Sequence, residues 1–497
     1  NGSVTGGNFN ITVPDNRNAY FTSTAPFWNL NIISSSGDFA ASPEVYEEYG
    51  DASASIPTTE AQPVVVLNEL NLQNSARLTS GTDNVDVLVE GNFTINSGTT
   101  YAPGINTTIF NGQGSQTFTN SGNITNGLYN LSLTESADLT LEGTENVFAV
   151  RNNLNIESNT TLRDNSKTLT VEGDITNSGT HYKPAAAAGS IQLIGANDQV
   201  ITGDGAGSFN NLTINKGGGT VDLTSKMTVN GEFRLASNHL FNIADNQLIL
   251  GENGVVYSAL SGTEQSFNAN KMIRANGLNS DEGVKKIFSN TEEFLFPFGF
   301  NVGGTNYYMP AYIHFTSEPS QYGSVTSRPV KEKHHLIQGT NNALTTYWKN
   351  RSSGFDGVPG GSVEHRYFYD AGASNNFVEG TEANYIPGVY LFGTEWETLN
   401  DVNLVDQSSN EISFISRSTA EGEYTAGESS AFTEIPVLYS SGENNDWNDP
   451  ETWSDIGVGE TGGAGTPGAN TIVVIGDETH NDTVNINNDN RQWGALF

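Results

Sequence analysis

Short runs of residues with an apolar side chain at every second position recur along the chain. Examples are Leu131 with Leu133, Leu139 with Leu141, Leu154 with Ile156, and Leu169 with Val171. Gly, Asn, Thr and Ser separate the runs, and residues of these types form the turns between short strands. Period-two alternation gives a strand one inward face, and sustained helical periodicity is nearly absent. The pattern predicts an all-β chain.

Several of these runs are near copies of one another. The matching strings are VEGNFTINSGT from Val89 with VEGDITNSGT from Val171, YNLSL around Asn130 with NNLTI around Asn211, and SQTFTNSG from Ser115 with DQVITGDG from Asp198. The spacing lies close to 81 residues, so residues 1 to about 257 read as three copies of one unit. The first copy is interrupted at 38–63 by an acidic, proline-containing insertion, which we expect to be a surface excursion.

The repeated strings contain no catalytic residue type, so their recurrence indicates a shape rather than a chemistry. A β-solenoid explains it, because each coil must present the same turn and the same inward residues to its neighbour. Asn before the strand suits the turn, and stacked Asn side chains are predicted to form ladders.

Changes in repeat pattern and composition divide the chain into four parts. Residues 1–259 are the predicted β-solenoid. Residues 260–434 lose the repeat and gain aromatic strings such as EEFLFPFGF and HRYFYD, which predict a β-sandwich because aromatic rings fill the space between facing sheets. Residues 435–470 form a glycine-rich, acidic linker with a tryptophan motif, and 471–497 return to short strands as the start of a further β-solenoid module.

Charge and composition narrow the range of partners. The 497 residues include 56 Asp and Glu against 21 Lys and Arg, a formal charge of −35, so nucleic acid is excluded as a partner. Cysteine is absent, which removes disulfides and thiolate metal sites. No apolar run is long enough to predict a membrane span.

Three features together resemble a known group of proteins. These are the Asn-Leu-x-Ile/Leu strands, the sandwich strings FPFG and YTAGESSAF, and the motif DWNDPETW followed by GTPGANTIVVIG. They resemble the giant cell-surface proteins, including gliding-motility adhesins, that Bacteroidetes export through the type IX secretion system. The most specific part is Trp447, Asn448, Asp449, Pro450, Thr452 and Trp453. The resemblance implies an extracellular, cell-surface location, and it makes Thr483, in Asp-Thr-Val, a candidate O-glycosylation site.

The loop ENNDWNDPETWSD offers hard oxygen ligands within a short stretch. The candidate calcium ligands are Asp446, Asp449, Glu451 and Asp455. The alternative is a solvated turn in which Trp447 and Trp453 pack and the acids face water.

A carbohydrate surface is the second candidate site. Trp348, Tyr367, Tyr390 and Trp396 would stack on sugar rings if they point outward, and would be core residues if they alternate inward.

Other candidate chemistry is weaker. His334 and His335 are adjacent and on a strand would face opposite sides, so they are not expected to share a metal ion. His314 and His365 are expected to be core or edge residues. Asp198, Asp204 and Asp222 do not recur as acids at matching repeat positions, and no motif for nucleophilic catalysis is present.

The sequence therefore predicts a non-catalytic structural or adhesive segment of a large extracellular filament or surface protein. Its partners would be other copies or modules of the same long chain and a surface polysaccharide or substratum, with calcium as the only cofactor considered. The alternative is a polysaccharide-binding or polysaccharide-degrading β-helix module.

Two further expectations follow from the alternation and from the ends of the chain. A charge at the inward residues Leu154, Ile156, Leu212 or Ile214 should destabilise the fold, whereas a charge at Asn155 or Thr213 should be tolerated. Apolar residues up to Phe497 predict that the chain continues into another solenoid, because a solenoid end needs a polar cap.

Overall fold

The computed structural model describes most of the chain. The described residues are 4–13, 18–21, 25–34, 42–45, 63–80, 85–183, 189–337, 342–369, 377–391, 396–432, 437–467, 471–476 and 482–484. The expectations about Phe497 and most of the 38–63 insertion lie outside them. Within them the chain is β-structure with four 3₁₀ turns and no α-helix, as predicted.

The first part is a stack of about 11 coils. Three coils open it: β1 (Asn8–Val13) and β2 (Asn18–Phe21), β3 (Phe27–Ser34) and β4 (Ser42–Val45), β5 (Val64–Gln73) and β6 (Arg77–Thr79). The next four contain β7 (Val87–Val89), β8 (Asn92–Ile95), β9 (Thr100–Ala102), β10 (Thr107–Phe110), β11 (Gly114–Asn120), β12 (Asn123–Ile124), β13 (Asn130–Leu133), β14 (Ala137–Gly143), β15 (Val147–Val150), β16 (Leu154–Ile156), β17 (Thr161–Arg163) and β18 (Thr168–Val171). The last four contain β19 (Ile175–Asn177), β20 (Thr180–Tyr182), β21 (Ser190–Leu193), β22 (Gln199–Thr202), β23 (Ser208–Phe209), β24 (Leu212–Ile214), β25 (Val221–Leu223), β26 (Met227–Val229), β27 (Glu232–Leu235), β28 (Phe241–Ala244), β29 (Gln247–Leu250) and β30 (Val255–Tyr257).

Strands of successive coils pair in parallel, which confirms the solenoid. Leu131 of β13 lies beside Leu154 of β16, and Leu154 beside Ile175 of β19. All three side chains are buried in the shared core. Outside the core, Asn31 donates through Nδ2 to Asn10 Oδ1 at 2.8 Å. The predicted asparagine ladder is therefore present.

The physical repeat is the coil of three strands, not the 81-residue unit. Asn130 begins β13, the first strand of its coil, whereas Leu212 begins β24, the third strand of its coil. The similar strings therefore lie on different faces of the solenoid. What they share is local, because both need an inward Leu and a tight corner before the strand.

One expected surface position is buried. Thr213 is 5% exposed because it lies between Gln192 and Arg234 on the neighbouring strands. The exposed position on which the predicted tolerance of a charge rests is therefore wrong for Thr213. Asn155 is half-buried, and the four inward residues Leu154, Ile156, Leu212 and Ile214 are buried as predicted.

The insertion is not wholly an excursion. Its residues 42–45 form β4, which pairs in parallel with β2 and with β6. These four residues therefore belong to one face of the solenoid, although the surrounding acidic sequence carries no apolar alternation that would have indicated it.

The solenoid continues beyond residue 259 and merges with the sandwich. The strands are β31 (Ile273–Ala275), β32 (Gly283–Ile287), β33 (Phe294–Phe296), β34 (Phe298–Val302), β35 (Thr305–Tyr308), β36 (Ala311–Phe315), β37 (Ser324–Val330), β38 (Tyr347–Ser353), β39 (Val363–Phe368), β40 (Tyr385–Tyr390), β41 (Trp396–Thr398), β42 (Val405–Asp406), β43 (Glu411–Arg417) and β44 (Gly422–Glu428). The 3₁₀ turns are Glu382–Asn384, Val402–Leu404 and Ser429–Ala431. β31 and β32 extend the parallel ladders from β28 and β29, and antiparallel β37 then covers the edge of β32. An edge closed in this way cannot template further pairing.

Two sheets form the sandwich. The first runs β32, β37, β38, β44, β40, β41, and the second runs β33, β36, β39, β43, β42. Aromatic rings fill the space between them, as in the contact of Trp348 on β38 with Tyr367 on β39.

A small unit follows the sandwich. β45 (Val437–Ser440) pairs with β46 (Trp453–Ser454) and with β47 (Ile472–Val474), and the turn Pro450–Thr452 precedes β46. Buried Trp447 and Trp453 pack edge to face at 5.0 Å. The boundary drawn at residue 470 thus divides one three-stranded sheet.

Candidate functional site

The four aromatic residues predicted to bind sugar do not form an exposed platform. Trp348 and Tyr367 are fully buried, with ring centroids 5.0 Å apart across the two sheets. Tyr390 is 6% exposed and packs against half-buried Trp396. A sugar needs a free ring face, so the prediction of stacking at Trp348, Tyr367 and Tyr390 is wrong. The rings of Trp348 and Tyr367 instead pack in the core between the two sheets of the sandwich.

The acidic loop uses its carboxylates to hold its own turns. Asp446 accepts from the backbone N–H of Asn448 at 3.0 Å, and Asp449 accepts from that of Glu451 at 3.0 Å. Glu451 and Asp455 are exposed. These acids do not converge as a set of three ligands in the described structure. The calcium prediction therefore rests on the sequence alone.

The candidate glycosylation residue, Thr483, has an exposed side chain. It lies beside the tryptophan unit, since Asp482 accepts a hydrogen bond from Ser440 Oγ at 2.5 Å. The position is thus accessible on the outside of that unit.

The described residues contain one group of three side chains with converging metal-ligand atoms, and its third member, Glu423, could not be predicted from the sequence. The ligand atoms of His334, His335 and Glu423 lie within 4.8 Å of one another. The two histidines lie in the connection between β37 and β38, where their rings stack at 4.6 Å. The expectation that they face opposite sides is wrong, because it assumed a strand.

This group is already satisfied by hydrogen bonds and charge. His334 Nδ1 accepts from the backbone N–H of Leu336, so Nε2 donates to Glu423 at 2.6 Å. Lys349 Nζ lies 2.9 Å from the other carboxylate oxygen. Burial alone would raise the pKa of Glu423, but the contacts with His334 and Lys349 lower it to about 2. A metal ion would have to displace the His334 proton beside an ammonium group.

The same network ties the outer face of the first sandwich sheet together. A single cross-strand row runs through Arg328, Lys349, Glu423, Tyr390 and Trp396. Glu423 and His334 are nearly inaccessible to solvent, at 3% and 0% exposure. Proton transfer to a substrate needs contact, so this arrangement is a buried ion network that joins strands and the 331–337 connection.

His314 and His365 also do not form a site together. In the register of β36 and β39, His314 pairs with Glu364 while His365 pairs with Ile313. His365 is buried, and its ring nitrogens lie 3.1 Å from the Tyr367 hydroxyl and 3.3 Å from the Tyr424 hydroxyl. It is a core histidine, as expected.

A polar groove crosses the outside of the solenoid near its junction with the sandwich. It has a volume of about 510 Å³. Its polar lining consists of Asp222, Thr224, Asn242, Asp245, Asn246, Arg274 and Asn276. Three of these occupy one row, because Asp222, Asn242 and Arg274 are register partners on β25, β28 and β31.

An irregularity in the ladder shapes this groove. The register between β28 and β31 slips by one residue after Asn242, and Ala244 has a φ of 50°. This is the left-handed region, which alanine rarely adopts. Bulges of this kind redirect side chains and are frequent beside functional sites. The sequence indicated only Asp222, which it grouped with Asp198 and Asp204. The structure places Asp198 in a different groove.

The interior of the groove holds an incompletely bonded amide. Asn242 is 9% exposed and donates through Nδ2 to Asp222 Oδ1 at 2.5 Å. Its Oδ1 is buried and has no hydrogen-bond partner in the protein. Buried polar atoms without partners are uncommon in native structures, and each calls for an explanation.

No helix in the described residues has the length and apolar character needed to cross a membrane. Comparison of the chain with protein families, with curated proteins and with solved structures gave no match in any of the three.

Proposed function

We propose that this chain is a structural and adhesive segment of a large extracellular, cell-surface protein, without catalytic activity of its own. The observation that supports it best is the continuous ladder of about 11 coils. With coils about 4.8 Å apart, the solenoid spans roughly 50 Å. A ladder of this kind is stiff along its axis, which suits a spacer that carries load.

The location and the relationship to type IX-exported gliding adhesins of Bacteroidetes remain part of this proposal. They are supported by the tryptophan motif and by the net charge of −35. Antibodies against the purified chain should label intact, unpermeabilised cells of the source. Labelling only after permeabilisation would contradict an external location.

The adhesive role is tested with the folded chain. Beads coated with it should be retained under flow on surfaces carrying polysaccharide or neighbouring modules of the same protein. Beads coated with Leu154→Asp, whose buried charge should disrupt the solenoid, provide the control. Equal retention of both kinds of bead would contradict an adhesive role of the folded chain.

The alternative is a polysaccharide-binding or polysaccharide-degrading module. Binding is favoured by one observation, the groove at Asp222, Asn242 and Arg274. Degradation would be recognised by new reducing ends or unsaturated products after incubation with a polysaccharide. Their release by the native chain, at a rate lowered by substitutions in the groove, would replace the structural proposal by an enzymatic one.

A further inference from the structure

We infer that the groove across β25, β28 and β31 is a binding site for a neutral saccharide. The inference deepens the adhesive part of the proposed function, and it rests on that function for the source of the ligand, a surface polysaccharide. The residues that carry it lie on β25, β28 and β31 and do not include the four aromatic residues predicted to bind sugar.

The groove carries charges of both signs. Asp222 and Asp245 would repel an anion, and Arg274 lines the same groove of about 510 Å³. A neutral ligand that carries donors and acceptors avoids this repulsion and can use both kinds of group.

The hydrogen-bonding capacity of the lining matches hydroxyl groups. A hydroxyl both donates and accepts, so it needs acceptors and donors side by side. Asp222 supplies carboxylate oxygens and Arg274 supplies N–H groups, from register positions on either side of Asn242. Adjacent hydroxyls of a sugar ring fit such a row.

The Oδ1 of Asn242 is a buried acceptor without a donor in the protein, although Nδ2 of the same amide is bonded to Asp222. This atom is closed to solvent, so a ligand hydroxyl can donate to it only when the Asn242 side chain turns towards the groove.

The backbone holds this amide in place. Asn246 donates from its backbone N–H to Ile243 at 2.8 Å and from Nδ2 to Leu223 at 3.1 Å, which fixes the turn after the slipped register. Asn276 donates to the Ala244 carbonyl at 3.2 Å. The left-handed Ala244 is thus held from both sides, as expected of a preformed site.

The test is saturation-transfer NMR and calorimetry on the full chain. The probes are neutral oligosaccharides of glucose, mannose, xylose and N-acetylglucosamine, with polygalacturonate and calcium chloride as anionic and cationic comparisons. We expect at least one neutral probe to bind. Asp222→Asn and Arg274→Gln should each weaken its binding about tenfold, because each removes a charged hydrogen-bonding group.

Glu172→Gln, at an exposed corner, is the matched control and should leave the affinity unchanged. Unchanged melting temperatures would exclude misfolding of the groove variants. The inference is overturned if no neutral probe binds, if binding is indifferent to both groove substitutions, or if only calcium or polygalacturonate binds in the groove. None of these results would alter bead retention on neighbouring protein modules. The saccharide site can therefore be disproved while the adhesive role still stands.

Discussion

Gln116 and Gln199, 83 residues apart, perform the same task in two different coils. Gln116 Nε2 donates to the carbonyls of Val89 and Gly91, and Gln199 Nε2 donates to those of Val171 and Gly173. Each side-chain oxygen accepts from a backbone N–H four residues earlier, that of Gly112 or Gly195. The repeated Val-Glu-Gly string is therefore a corner whose carbonyls are bonded by a glutamine that follows the valine by 27 or 28 residues.

Replacement of this glutamine should destabilise the solenoid. Gln199→Leu would leave the Val171 and Gly173 carbonyls and the Lys216 ammonium with fewer partners in a buried corner, since Lys216 lies 2.5 Å from Gln199 Oε1. We expect a loss of about 2–5 kcal/mol in the free energy of unfolding. Gln192→Leu, at a half-buried position on β21, is the control and should cost much less. Denaturant titration measures both, and equal losses would contradict the corner role.

Glycine in the same corner is constrained by close packing. A Cβ atom at Gly173 would lie 2.5 Å from the carbonyl oxygen of Asn152 in the preceding coil. Gly173→Ala should therefore lower the melting temperature, whereas Gly217→Ala, where a Cβ meets nothing within 4 Å, should not. Differential scanning calorimetry of the two variants tests this, and equal melting temperatures would show that the corner relaxes.

These corners explain which features of the solenoid could be predicted from the sequence. The alternation at Leu154 and Ile156 predicts inward residues because burial acts on each strand separately. The face of the solenoid occupied by a strand depends on how many corners precede it. Similar strings at Asn130 and Asn211 therefore predicted similar strands but not their places in the coil.

The candidate sites were less predictable because they depend on contacts between distant residues. Glu423 meets His334 across 89 residues of sequence, and nothing near either residue indicates the other. Likewise, Asp222 became informative only when the register placed Asn242 and Arg274 beside it. Trp348 and Tyr367 looked like sugar-binding rings because composition does not reveal on which side of a strand a ring lies.

The inward and outward positions of β16 provide a direct test of burial. Leu154→Asp places an unpaired carboxylate in the core and should cost several kcal/mol, whereas Asn155→Asp, on the half-buried outer side, should cost under about 1 kcal/mol. Thr213→Asp should cost more than Asn155→Asp because Thr213 is 5% exposed, but less than Leu154→Asp because Arg234 lies beside it on the neighbouring strand. Chemical unfolding of the three variants measures the differences. A Thr213 variant as stable as the Asn155 variant would contradict the burial seen on β24.

Calcium binding by the tryptophan unit is tested by chelation. If Asp446, Asp449, Glu451 and Asp455 hold the ion, a chelator should lower the melting temperature of the 437–484 unit and added calcium should restore it. Trp453→Ala is the reference for loss of this unit, because Trp453 is fully buried and donates to the Trp447 carbonyl at 2.9 Å. The thermal transition of this unit is the one that is lost in the Trp453 variant. If a chelator leaves the temperature of that transition unchanged, the loop does not bind calcium.

Acid should destabilise the sandwich through two buried groups. Burial lowers the pKa of His365 to about 3 from an ordinary value of 6.5, so between these pH values only the unfolded chain takes up the proton. Glu423 has a pKa of about 2 against an ordinary value of 4.5, so its contribution is present above pH 4.5 and is lost towards pH 2. Both groups make stability fall as the pH falls, His365 first.

Substitution separates the two contributions from the acid response of the other carboxylates. His365→Gln removes the buried imidazole, and the stability of this variant should change less between pH 6.5 and 4.5 than that of the native chain, by about 2–3 kcal/mol. His314→Gln, at a half-buried surface position, is the matched control for the loss of an imidazole. Glu423→Gln should lower stability at pH 7, because His334 and Lys349 lose their charged partner, and should flatten the curve below pH 4.5. The measurement is the free energy of unfolding of each variant at pH 7, 5.5, 4.5 and 3. If the curves of the native chain and the His365 variant ran parallel, His365 would be protonated in the folded sandwich, which would contradict its lowered pKa.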